Sequence, residues 1–185
     1  LYSDGNWRAE WAQEYVGRDY TARVGFVPRR GYLRWNPNLR YLIYPSGDGL
    51  VLSHGPSARS SVYFNESGDL TDYENRFAYL FNFRDGGDFS AFIANYFVEL
   101  QEPFDPTNVM GFFLEPGTDH RAVRYGLEFN SNAQRSFTYN FSAENGSFYA
   151  DGDLLTLASE LGYRFQPYVN ITLNASYNDL QLPQP

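Results

Sequence analysis

Within the segment from Glu74 to Arg84, an aromatic ring stands at every second position from Phe77 on: Phe77, Tyr79, Phe81 and Phe83. The intervening positions hold Glu74, Arg76, Ala78, Asn82 and Arg84, with Leu80 the one large apolar residue among them. Successive side chains of an extended strand point to opposite sides, so this segment is ring-coated on one face and charged on the other. The same two-residue period returns along the chain. Trp7, Ala9, Trp11 and Tyr15 alternate with Arg8, Glu10 and Glu14. Val123, Tyr125, Leu127 and Phe129 alternate with Arg124, Gly126 and Glu128, and Phe137, Tyr139 and Phe141 with Thr138, Asn140 and Ser142. Leu155, Leu157, Leu161, Tyr163 and Phe165 alternate with Thr156, Glu160 and Arg164. Past a Gln166-Pro167 corner, Val169, Ile171, Leu173, Ala175 and Tyr177 alternate with Asn170, Thr172, Asn174 and Ser176. This run of segments predicts an all-β antiparallel meander of about ten strands, at the spacing expected of a transmembrane barrel or a section of one.

The strand from Phe89 to Gln101 is less regular. Its own pattern puts Phe92, Ala94, Tyr96, Val98 and Leu100 on the ring face, with Asn95 and Glu99 opposite, where Ile93 and Phe97 join them. Turn chemistry separates the segments at Ser46-Gly47-Asp48-Gly49, Ser67-Gly68-Asp69, Asp85-Gly86-Gly87, Asn145-Gly146 and Asp151-Gly152-Asp153. The stretch from Gln101 to His120 has three prolines and no alternation, and reads as a long extracellular loop. No second domain is indicated, so residues 1–185 form a single β domain or part of a longer barrel.

Composition explains why the two faces must be kept apart. Aromatic residues make up 19% of the chain and charged residues another 19%, while the mean hydropathy is −0.50. Rings toward lipid and charges toward water satisfy both classes at once. A net charge of −8 argues against nucleic acid as a partner. With two His and no Cys, thiolate metal sites and disulfides are out, and no cofactor is indicated. No apolar run reaches the length of a membrane-spanning helix. The chain starts without Met or a signal peptide, as would the mature start of an exported protein or an internal fragment.

The candidate functional residues are the charges expected to face the lumen: Glu10, Arg23, Arg34, Arg40, Glu74, Arg76, Glu99, Arg124, Glu128, Glu160 and Arg164. Such groups either select a solute or neutralise one another inside a narrow barrel, and the second is the commoner arrangement. In the long loop Phe104, Asp105, Phe112 and Phe113, with Met110, either meet a partner or fold back over the barrel mouth. Asp105, Asn108, Glu115 and Asp119 are oxygen donors without calcium-loop spacing, so no metal site is assigned. Trp7, Trp11 and Trp35 fit interfacial girdles better than sugar-stacking platforms. His54, beside turn residues in Ser53-His54-Gly55-Pro56, and His120 belong to no triad spacing. No catalytic residues are assigned, and an enzyme is not expected.

Three segments are more specific than a generic barrel pattern. They are Arg23-Val24-Gly25-Phe26-Val27-Pro28-Arg29-Arg30-Gly31-Tyr32, Glu102-Pro103-Phe104-Asp105-Pro106-Thr107-Asn108 and Tyr163-Arg164-Phe165-Gln166-Pro167-Tyr168. With Tyr177-Asn178-Asp179 they resemble a family of large bacterial proteins of unknown function. In that family a carbohydrate-binding family 9-like domain precedes a long C-terminal outer-membrane β-barrel. The resemblance falls wholly within the barrel part and implies an outer-membrane location and handling of glycans, with no site residues to carry over. The N-terminal domain of that family has no counterpart here. The final Leu182-Pro183-Gln184-Pro185 lacks a closing aromatic strand, which would leave edge strands unpaired.

Three functions are therefore expected in turn. The first is a pore or transport-like barrel for a small polar solute or glycan fragment. The second is a structural subunit joining other envelope proteins in the membrane, and the third is a soluble ligand-binding β-sandwich.

Overall fold

The structure is a computed structural model and describes residues 2–21, 29–106, 113–165 and 167–182. Ten strands follow one another in a single sheet: β1 (Tyr2–Asp4), β2 (Trp7–Val16), β3 (Tyr32–Tyr41), β4 (Val51–Asn65), β5 (Leu70–Phe83), β6 (Asp88–Glu99), β7 (Asp119–Asn130), β8 (Phe137–Ser147), β9 (Asp153–Phe165) and β10 (Val169–Gln181). Every neighbouring pair is antiparallel and the spatial order is the sequence order. The expected ten-strand meander is thus what forms. The sheet is open, with β1 at one edge and β10 at the other.

Cross-strand partners share a face, so the register carries one face across the whole sheet. Starting from Phe77, the chain of partners runs through Ala58 and Leu39 on one side and Ile93 and Tyr125 on the other. Phe81 likewise continues through Phe89, Phe129 and Phe141. This ring face is largely uncovered: Trp11, Phe77, Tyr125, Ile171 and Leu173 each keep more than half of their surface exposed. The opposite face carries Arg34, Arg59, Glu74, Arg76, Arg124, Glu128 and Glu160.

The sheet curls toward its polar face. One cavity on that side is lined jointly by β3, β4, β5, β6 and β7, which a flat sheet could not achieve. Across β6, Arg76 of β5 reaches Glu128 of β7 at 2.6 Å.

Strand β6 corrects the sequence reading. Phe92 pairs with Ala78 and Gly126, and Ala94 with Arg76 and Arg124, so Phe92, Ala94 and Tyr96 lie on the polar face. Ile93 and Phe97 belong to the ring face, and so does Glu99, opposite Asp119 at the strand end. Glu99 is therefore not a polar-face charge. Apolar residues occupy both sides of β6, so its own sequence cannot say which is which; the register against β5 decides it. Two further readings change. Asn145-Gly146 lies inside β8, paired with Tyr125 and Arg124, and the turn follows at Tyr149–Asp151. His54 sits within β4 rather than beside a turn, its Nδ1 2.7 Å from the Tyr79 hydroxyl.

Small residues make room for the large ones inside the curl. Phe92, 8% exposed, lies over Gly126, and the Arg76 guanidinium stands 3.7 Å from the ring centroid on another side. A Cβ at Gly126 would stand 2.5 Å from the Ala143 carbonyl oxygen and 2.6 Å from the Phe92 ring, and only the second contact can be relieved by a smaller side chain at 92. Gly126→Ala should therefore cost about 1–3 kcal/mol, the range for an overpacked site. Adding Phe92→Leu should recover part of that loss, as coupled neighbours do. Denaturant unfolding of the single and double variants checks both statements.

Candidate functional site

The two ends of the sheet differ. At one end the connections are residues 17–31, 66–69, 100–118 and 148–152; at the other they are 5–6, 42–50, 84–87, 131–136 and 166–168. The two longest connections therefore share an end. The opposite end is pinned by polar contacts between turns. Arg84 donates to the carbonyls of Gly47 at 2.7 Å and Gly49 at 2.8 Å, and Arg135 lies 3.6 Å from Asp85.

At the long-loop end, ring contacts and ion pairs fold the connections over the polar face. Phe104 and Leu114 exchange backbone hydrogen bonds at 3.1 and 2.8 Å, extending the β6–β7 hairpin beyond its strands. The Phe104 ring packs on Tyr149 with centroids 5.0 Å apart, and Tyr149 also meets Phe148 at 4.9 Å and His120 at 5.3 Å. The turn that carries Tyr149 passes through left-handed backbone at Ala150 (φ 54°) and Asp151 (φ 58°), a conformation that L residues adopt only when their surroundings impose it. Burial raises the Tyr149 hydroxyl pKa above its ordinary value, and the nearby Arg124 charge partly opposes this. From the 17–31 connection, Arg29 pairs with Asp72 at 2.7 Å and donates to Thr71 Oγ1 at 2.8 Å.

Beneath this cover lies a cavity of about 440 Å³ lined by Arg34, Arg59, Arg124, Asp72, Glu74, Tyr63, Tyr96 and Tyr149, among others. A second cavity of about 330 Å³ continues along the polar face between β3 and β7, with Arg59 in the wall of both. A third, of about 490 Å³, runs under β8 to β10 and shares Glu128 with the second. The three follow one another along the inside of the curl from the long-loop end, a polar path with Arg59 and Glu128 as shared wall residues between its cavities.

Most of the charges on this path answer one another. Besides Arg76–Glu128, Arg124 lies 3.2 Å from Glu144, Arg59 lies 3.4 Å from Glu74 and Arg34 lies 4.0 Å from Glu14. These partly exposed pairs are worth little individually, and their role is to fill the curl with matched charge.

The structure gathers four of the expected lumen charges, Glu74, Arg76, Arg124 and Glu128, around β6. Glu160 shares their face but sits on β9, where it accepts a hydrogen bond from Asn140 at 3.1 Å. Arg164 is also on that face, further along β9. Of the loop residues, Phe104 folds back onto Tyr149, Asp105 lies close behind it in the chain, and Phe113 is 59% exposed. Phe112, Met110, Asn108 and Arg23 lie outside the described residues.

Arg59, Glu144 and Tyr149 were missed in the sequence. Arg59 sits among Ser57, Ala58, Ser60 and Ser61, where no ring marks the face; only the pairing with Arg76 places it. Among the described residues, no cluster of three or more His, Cys, Asp or Glu side chains could hold a metal ion. No helix among them is long and apolar enough to cross a membrane, which says nothing of strands.

If the Phe104–Tyr149 contact holds the long loop down, Phe104→Ala should release it. A ring pair is worth about 0.5–1.5 kcal/mol, so chymotrypsin cleavage within residues 101–118 should rise by roughly two- to tenfold. Cleavage elsewhere should stay unchanged, as mass mapping of the fragments would show.

No family model matches the chain, and no curated protein or solved structure matches it either.

Proposed function

We propose that these ten strands form the wall of a β-barrel in a bacterial outer membrane, its polar face lining a passage for a small polar solute or glycan fragment. One observation carries this reading: a ring-rich apolar face continues across β2 to β10 with its side chains uncovered, backed by a face of matched charge. Soluble monomers rarely expose so extended an apolar surface, whereas lipid accepts it without cost. Strand lengths support the same reading, since β2 to β10 each run 10 to 15 residues, enough for a tilted strand to cross the hydrocarbon layer. The glycan part rests on the family resemblance of the three sequence segments. In lipid an unpaired sheet edge would leave backbone groups unsatisfied at several kcal/mol each, so both free edges must find strands to pair with.

A second reading has its own support. Arg76, Phe92 and Glu128 fill the middle of the curl, as expected of a plugged barrel that anchors other envelope proteins rather than passing a solute. Both readings share the lipid-facing surface and neither assigns catalysis.

The test is a paired lysine substitution. Ile93, in the middle of β6, lies on the ring face and is 50% exposed, so Ile93→Lys should cost about 2–4 kcal/mol if it meets lipid near the midplane. Ser142 lines the polar path beside Glu128 and Glu160, and Ser142→Lys should change stability by about 0.5 kcal/mol or less. Unfolding measured from lipid vesicles would read both. Equal costs at the two positions would remove the membrane reading, because a half-exposed residue in water tolerates lysine.

A further inference from the structure

The polar face carries one arrangement that charge matching does not explain. Arg8 stands directly opposite Arg40 across β2 and β3, and Arg59 directly opposite Arg76 across β4 and β5. Arg40 also pairs with Ser57, two residues from Arg59 on the same face, so the four guanidiniums belong to one neighbourhood. Like charges directly opposite in a sheet repel and destabilise it. Glu128 neutralises Arg76 at 2.6 Å, and Glu74 takes a single long contact from Arg59 at 3.4 Å. Among the described residues, Arg8 and Arg40 have no carboxylate within ion-pair distance. Glu10 shares their face, opposite Asn38, without forming an ion pair with either, so Arg40 is left without a contacting counter-charge.

The opposed arginines face a built space. Arg40, Arg59 and Arg76 line the same cavity of about 330 Å³ with Asn38, and its wall also holds Asp88, which accepts from Asn130, and Glu128, which is paired with Arg76. The Asn38 Oδ1 atom is buried and has no hydrogen-bond partner, which leaves an acceptor whose desolvation nothing offsets. A guanidinium presents five N–H donors in a planar fork suited to a carboxylate. We infer that this cavity binds a hydroxylated organic carboxylate: Arg40 and Arg59 hold the carboxylate, and Asn38 Oδ1 accepts a hydrogen bond from a hydroxyl. The bound anion also relieves the repulsion between the opposed arginines. The inference rests on the proposed passage for how the solute arrives, but binding itself needs no membrane.

Calorimetric titration of the full chain in detergent micelles tests it, with gluconate as the probe and sorbitol as its uncharged counterpart. Gluconate should bind at least tenfold more tightly than sorbitol, and more weakly as salt is raised. Arg40→Gln should weaken gluconate at least tenfold and Arg40→Lys much less, while Arg18→Gln, on the exposed 17–31 connection, should leave it unchanged. Arg59→Gln, in the same wall, serves as a second variant should Arg40→Gln misfold, and is expected to weaken gluconate as well. Equal binding of the two probes, no binding of gluconate, or full affinity in a folded Arg40→Gln protein would overturn the proposal. A protein that binds gluconate while Ile93→Lys leaves its stability intact would keep this site and lose the membrane reading.

Discussion

Side chains that stand opposite one another on paired antiparallel strands share a face, and everything else here depends on that rule. Once Phe77 is placed on one side, the pairings fix Ile93, Tyr125 and their neighbours on the same side and Arg76, Arg124 and Glu128 on the other. A slip of one residue between any two strands would turn rings into the curl and charges out of it. The segregation of two chemistries in one chain is therefore a property of nine consecutive registers, not of any single strand.

The curl itself depends on a size pattern on the polar face. On β5, β6 and β7, Ala94 and Gly126 leave space that Phe92 and Arg76 occupy, with Arg76 tied to Glu128 beyond them. Under β8 to β10 the side chains are short at Ser142, Ala158 and Ser176, and the space stays open. Phe92, Arg76 and Glu128 thus stand at the centre with the polar cavities beside them. The long connections then cover one end through Phe104, Tyr149 and Arg29, and short turns held by Arg84 and Arg135 finish the other.

The sequence made the strand count and the ring face legible wherever apolar and polar residues alternate, as in β7, β8 and β10, and in β5 with Leu80 the one exception. It misled in β6, where Phe89, Phe92, Ile93, Tyr96 and Phe97 place rings or large apolar groups on both sides and the period alone has no sign. It also misled at Asn145-Gly146, because the dipeptide favoured in hairpin turns can equally serve a close approach between strands. The backbone of Gly146 at φ 152° leaves no room for a side chain against β7. Glu74, Arg76, Arg124 and Glu128 were legible as a set because each adjoins a ring on an alternating strand. The opposed arginines were not, since adjacency of Arg8 to Arg40 or of Arg59 to Arg76 exists only after pairing. Cavities and loop contacts such as Phe104 on Tyr149 are likewise products of tertiary structure with no local period to announce them.

All three tryptophans of the chain, Trp7, Trp11 and Trp35, lie on the ring face of β2 and β3, and each is between 39% and 57% exposed. Their fluorescence therefore reports what that face touches. The most direct measurement is quenching in lipid vesicles, comparing acyl chains brominated at known depths with an aqueous quencher. The account predicts strong quenching by the brominated chains and little by the aqueous agent. Quenching by the aqueous agent alone would contradict it and place the ring face in water or against protein.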